Sequence, residues 1–301
     1  MKIITFLFTI FVLLLTGCTK TDVPLEHQLP STCTVYDMKQ ARCIDEGELV
    51  KRLAPYRVVF VGDHHAQTDL HQRVAKLISR LDRSGRHVSL ANEWFTPEDN
   101  TLLKRYADGS FKGDFPRKVE WKKKAGYAFD SYASIYNAIR NAHGRLYGIN
   151  LSRESRKHIS NANRSVMTRE EKGFYDSLDL NVAAHRQMLA SFFAHCHSQR
   201  EGEDAAACRE RMYRVQVAWD SYMAKETAAL SRKVLRNQSD LLMVFAGSMH
   251  LSHGLGINAR FARLSREPFV TIEPVPTGTD RAGVGEADFL LFYAPSQQSS
   301  K

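Results

Sequence analysis

Short unbroken apolar runs alternate along most of this chain with stretches in which apolar residues recur at helical spacing. Arg57-Val58-Val59-Phe60-Val61 is a β-branched run stopped by Gly62, and Leu70, Val74, Leu77, Ile78 and Leu81 then predict an amphipathic helix. His87 to Ala91 predicts a second strand, and Thr96-Pro97-Glu98 has the form of an N-cap with Pro at the first helical position. Tyr132, Ile135, Tyr136 and Ile139 make another helical face, and Leu146 to Ile149 a third strand. From about 151 to 237 no strand pattern occurs. That stretch holds a capping box, Thr168-Arg169-Glu170-Glu171, and an apolar stripe from Met212 to Val234 on a long helix. Leu241 to Ala246 is nearly all apolar, as a strand buried on both faces of a sheet should be. A helix near Ala259–Leu264 and strands at Phe269–Ile272 and Phe289–Phe292 complete the pattern. Strands alternating with helices predict an α/β fold, a mostly parallel sheet flanked by helices, with an all-helical insertion at about 151–237. One domain over 44–296 accommodates all of it.

The start of the chain follows neither rhythm. Lys2 precedes an apolar stretch from Ile3 to Leu15, then Leu15-Thr16-Gly17-Cys18. The stretch is shorter than the roughly 20 apolar residues of a spanning helix. It has the form of a signal peptide, residues 1–17, whose small residues before Cys18 mark that cysteine for lipidation. Residues 18–43, polar and interrupted by Pro24 and Pro30, then read as a lipidated N-terminus and tether. Attachment to a membrane through Cys18 places the protein in a bacterial cell envelope, and Thr19 in place of Asp favours the outer membrane.

Composition narrows the alternatives. With 43% hydrophobic and 25% charged residues among 301, wholesale disorder is excluded. The formal charge of +9 falls to +8 when residues 1–17 leave with Lys2, and its dispersal without a recognised nucleic-acid motif argues against nucleic acid as a partner. Anionic surfaces suit it better. Cys18 aside, Cys33, Cys43, Cys196 and Cys208 form an even set in an exported chain. Of the three possible connectivities, the sequence-local pairing Cys33–Cys43 and Cys196–Cys208 closes short loops in polar stretches.

In parallel sheets, sites form beyond the carboxyl ends of the strands. The first strand delivers Gly62-Asp63-His64-His65, the second Asn92-Glu93-Trp94-Phe95, the third Asn150, and the fourth Gly247-Ser248-Met249-His250 with His253 close behind. His64, His65, Glu93, Asn150, His250 and His253 are therefore candidates for one pocket, and His65, Glu93 and His250 for a divalent metal. His195-Cys196-His197 is a further metal-type triplet, but Cys196 is better assigned to a disulfide.

These motifs occur in one order with Trp219-Asp220-Ser221-Tyr222-Met223-Ala224, and Ala246 to Ile257 follows. In that order the chain resembles the ChaN-like haem-binding lipoproteins, in the superfamily of the Tiki metalloproteases and erythromycin esterases, from about residue 56 to 273. The resemblance implies haem bound non-covalently for iron acquisition, in a pocket shared by two protomers, with tyrosine ligation and histidine help. Tyr222 joins the pocket candidates on that ground. In the wider superfamily, Gly62, His65, Glu93, Gly247 and His250 would match a metal-dependent hydrolytic site, with His71 one helical turn on. The alternative reading is therefore a hydrolase, peptidase or esterase, using His65, Glu93 and His250 with Glu93 or Asp63 as base. Asp63 stands where the family commonly has Glu.

Overall fold

The computed structural model describes residues 26–196, 200 and 202–296. The signal peptide, Cys18 and His197 lie outside the described residues. The strands are β1 (Glu26–Gln28), β2 (Val35–Asp37), β3 (Arg42–Ile44), β4 (Val58–Asp63), β5 (His87–Asn92), β6 (Arg145–Gly148), β7 (Asp240–Gly247), β8 (Phe269–Pro276), β9 (Arg281–Gly283) and β10 (Phe289–Tyr293). Eight of them form one sheet in the order β3-β2-β10-β8-β4-β7-β5-β6. From β10 to β6 every pairing is parallel, and β2 and β3 are antiparallel additions at one edge.

The centre of the sheet is where the sequence is most apolar. Every residue of β4 is buried, as is β7 after Asp240. Phe60 and Phe245 are wholly buried on opposite faces, in separate clusters. Each such side chain contributes about 1.5–3 kcal/mol by leaving water. One face is covered by the helices Thr68–Arg83 and Asp130–Asn141, whose buried residues are the predicted stripes. The other is covered by the helices Ala205–Val234 and Ile257–Leu264. Between β6 and β7 the described residues contain helices and no strand, as the sequence predicts. Cys196–Cys208 joins the helix Ala183–Phe193 to the long helix in that insertion, and Cys33–Cys43 closes the β2–β3 hairpin.

One expectation needs correction. The tether expected over 18–43 is folded from Glu26 onward: β1 pairs with β9, and β2 and β3 extend the main sheet. Val35 and Tyr36 are buried at the sheet edge. Three-residue strands are too short to carry a period, and β10, through which β2 joins the sheet, lies near the other end of the chain. Among the described residues no helix is long and apolar enough to cross a membrane.

Candidate functional site

The carboxyl ends of β4, β7, β5 and β6 are consecutive in the sheet, so the turns that leave them share one edge. Gly62, one residue before the end of β4, has no room for a side chain, and Gly247, the last residue of β7, has little. A Cβ on Gly62 would stand 2.2 Å from Glu273 Oε2, and one on Gly247 3.0 Å from the His65 ring. The turns therefore bring their histidines close to the sheet.

His65 lies at the mouth, and its Nδ1 donates to Asp63 Oδ2 at 2.8 Å. Asp63 is buried and receives two further contacts, His71 Nε2 at 2.7 Å and the Tyr132 hydroxyl at 3.2 Å. Burial works to raise its pKa, but the hydrogen bonds from His65 and His71 outweigh that and hold the carboxylate below its ordinary range. The shorter Asp63 thus anchors two imidazoles rather than reaching into the cleft. His250 is held in the same way from a different quarter. Its Nδ1 lies 2.6 Å from Oδ1 of Asp220, on the long helix. Asp220 is itself buried and is met by His185 Nε2 at 3.3 Å and Arg260 Nη1 at 3.7 Å.

With both Nδ1 atoms spent, the Nε2 edges remain for the cleft. His250 Nε2 is 3.6 Å from Glu93 Oε2. Glu93 is buried, and Asn150 Nδ2 fixes its backbone by donating to its carbonyl at 2.6 Å. Burial pushes the Glu93 carboxyl up despite the two histidines. Burial lowers His65 and His250, but their carboxylate partners raise both above the ordinary histidine value. Glu93 Oε1 and the indole nitrogens of Trp94 and Trp219 are buried with no hydrogen-bond partner among the described residues. These residues, with Met249, Arg153 and Arg156, line a cavity of about 410 Å³. Among the described residues neither arginine has a carboxylate partner, and the Arg156 guanidinium sits 5.5 Å from the Trp219 ring centre.

Of the expected site residues, the fold brings together His65, Glu93, Asn150 and His250. It sends the others elsewhere. His64 turns the opposite way, with Nδ1 2.8 Å from the Tyr293 hydroxyl. His253 is exposed, in a left-handed conformation with φ 57°, and its backbone N–H donates to Glu286 O. Tyr222 packs edge-on to Phe174, in the insertion. For a metal, the side chains whose ligand atoms converge within 4.8 Å are Asp63, His65 and Glu93, without His250. Both Asp63 oxygens are already taken by donors, so metal ligation would cost one of those bonds. Asp220, Trp219, Arg153 and Arg156 are site residues that the sequence pattern does not mark. Asp220 and Trp219 stand inside a recognised motif, but nothing in their spacing says which way they face.

A model of the family described as haem-binding uptake, Tiki superfamily, ChaN matches residues 49–261. Among solved structures, one of cofacial haem binding to ChaN of Campylobacter jejuni is similar at 17% identity and TM-score 0.65, over 86% of this chain and 96% of that one. A mutant erythromycin esterase EreC in its open conformation is similar at 15% identity and TM-score 0.45, over 88% of this chain and 83% of that one. The first is a likeness of fold, and the second is too remote to argue from. No curated protein matches.

Proposed function

The chain belongs to the haem-binding uptake family of the Tiki superfamily that includes ChaN, and we propose that it binds haem non-covalently at the cleft between His65 and His250, as a lipid-anchored envelope protein of iron acquisition. Haem asks a site for a flat apolar slot, an iron ligand and cations for its carboxylates. The residues present fit those demands. Trp94, Trp219 and Met249 are the apolar walls, and Arg153 and Arg156 are cations without carboxylate partners among the described residues. The observation that carries the reading is this pairing of tryptophan walls with uncommitted arginines above two histidine edges.

The hydroxyls of Tyr132, Tyr136, Tyr213 and Tyr293 are all engaged in hydrogen bonds within the protein. Tyr127 is 38% exposed, stands against the His65 and Trp94 rings, and has no hydroxyl partner among the described residues. It is the phenol best placed to serve iron. Bound haem would supply an iron centre whose absorption reports its ligand. A slot of this size, open at the exposed Arg153, suits completion by a second protomer. Anchoring through Cys18, placement at the outer membrane and the homodimer belong to this proposal.

Titration of the full chain with hemin tests it. A saturable Soret shift is expected, with affinity at least tenfold weaker in His65→Ala and the charge-transfer band lost in Tyr127→Phe. Light scattering should show hemin-dependent doubling of mass. No saturable shift would reject haem binding.

A second reading has its own observation. Two imidazoles, each held at Nδ1 by a buried carboxylate, face one buried glutamate whose pKa is raised. Such dyads are built for proton transfer, and a metal-dependent hydrolase would use them. Ester hydrolysis lost in both His65→Ala and His250→Ala, together with bound zinc or manganese in elemental analysis and no hemin binding, would favour this reading over the first.

A further inference from the structure

A second cavity, of about 1030 Å³, lies over the free edge of β6 at the strand's amino end, away from the turns that build the cleft. Three helices end there: Asn100–Ala107, Asp130–Asn141 and the long helix, which contribute Lys104, Arg140 and Lys233 to its wall. Arg145, the first residue of β6, is the fourth cation. One carboxylate, Asp108, lines the cavity, and Lys104 pairs with it at 2.9 Å. Among the described residues, Arg140, Arg145 and Lys233 have no carboxylate partner.

The plain explanation for such cations is that they answer the negative ends of the helix dipoles. Magnitudes argue against it as a full account. Three helix ends bring roughly −0.5 charge each. Four cations and one carboxylate leave +3, so an excess of roughly +1.5 remains after the dipoles are met. Arg145 follows a helix end only through the tight turn His143-Gly144, where His143 is left-handed at φ 50° and a Cβ on Gly144 would meet Val88 O at 2.2 Å. That turn fixes the base of Arg145 beside Arg140.

The geometry points to a binding site for a phosphomonoester, held by Arg140, Arg145 and Lys233. The dianion matches the excess charge, and a guanidinium binds its oxygens in pairs. The same chemistry is carried by a soluble phosphorylated metabolite and by a phospholipid headgroup.

Isothermal titration of the full chain with glycerol 3-phosphate, beside sedimentation with vesicles containing phosphatidic acid or phosphatidylcholine alone, separates the two. Saturable binding of glycerol 3-phosphate, weakened at least tenfold in Arg140→Gln/Arg145→Gln and unchanged in Arg153→Gln/Arg156→Gln, assigns the site to a soluble ester. Selective sedimentation with phosphatidic acid, lost in the first variant and without binding of the soluble ester, assigns it to a headgroup. Hemin titration and thermal melting of Arg140→Gln/Arg145→Gln should match the parent protein. Absence of binding in both arms, or binding that survives Arg140→Gln/Arg145→Gln, overturns the proposal.

Discussion

His65 and His250 present the same chemical edge to one cleft, yet they are held there by different parts of the molecule. The carboxylate behind His65 is Asp63, two residues away at the end of the same strand. The carboxylate behind His250 is Asp220, thirty residues earlier on a helix of the insertion, steadied in turn by His185 from another helix and Arg260 from a third. One arm is local and rides on the most buried strand of the sheet. The other exists only when the insertion is docked. The lesson is that the helical insertion is part of the site's machinery as well as its cover.

The largest expected effect tests that difference. Asp220→Ala leaves the buried His185 and His250 and the partly buried Arg260 around a lost charge, and should cost about 3–5 kcal/mol in urea denaturation. A loss below about 1 kcal/mol would show that the insertion does not clamp His250 through this carboxylate.

The two arms also share a floor. Glu273 of β8 is buried under Gly62 and the Ser248–Ser252 turn, with Ser252 Oγ 3.4 Å from its Oε1. Burial is the main reason its carboxyl is pushed up to about 8, and Glu286 adds to it. The folded state therefore keeps a proton that the unfolded chain sheds near 4.5, so stability falls as pH rises from about 4.5 to about 8. Glu273→Gln should flatten that slope and stabilise the protein at pH 7 by up to about 3 kcal/mol, read from urea midpoints across pH. An unchanged slope would mean that the acid is ionised in the fold.

The terminating glycines sharpen the comparison further. On the local arm, Gly62→Ala drives a Cβ to 2.2 Å from Glu273 Oε2 and 2.7 Å from Pro274 Cδ, and overpacking there should cost about 1–3 kcal/mol. On the other arm, the Cβ of Gly247→Ala meets the His65 ring edge at 3.0 Å, which can give way. Its stability should fall by less than about 1 kcal/mol, while its hemin affinity changes more than that of Gly62→Ala. Equal melting temperatures and equal affinities for the two variants would erase the distinction.

The parallel core was legible because β4 and β7 are apolar on both faces with a glycine at or next to their ends, and the covering helices carry the predicted stripes. The edge strands β2 and β3 were not legible, because each is three residues long and β2 joins the sheet only through β10, near the other end of the chain, with β3 pairing in turn to β2. Within the site, position along the sequence was read more easily than direction. His64 and His65 are neighbours in the turn after β4, but one ring meets Tyr293 and the other the cleft. Tyr222 follows Trp219 by three residues on one helix and packs against the same apolar cluster, but its ring meets Phe174 and only Trp219 lines the cleft.

The sequence by itself determined the alternation of strands and helices and the delivery of His65, Glu93, Asn150 and His250 to one edge, because apolar periodicity and chain-terminating turns are local properties. The tertiary structure alone decided which ring nitrogen faces the cleft, which carboxylates stand behind it, and that Trp219, Arg153 and Arg156 wall it. Those are orientations, and an orientation is fixed by hydrogen bonds and packing to partners that become neighbours only when the insertion closes on the sheet.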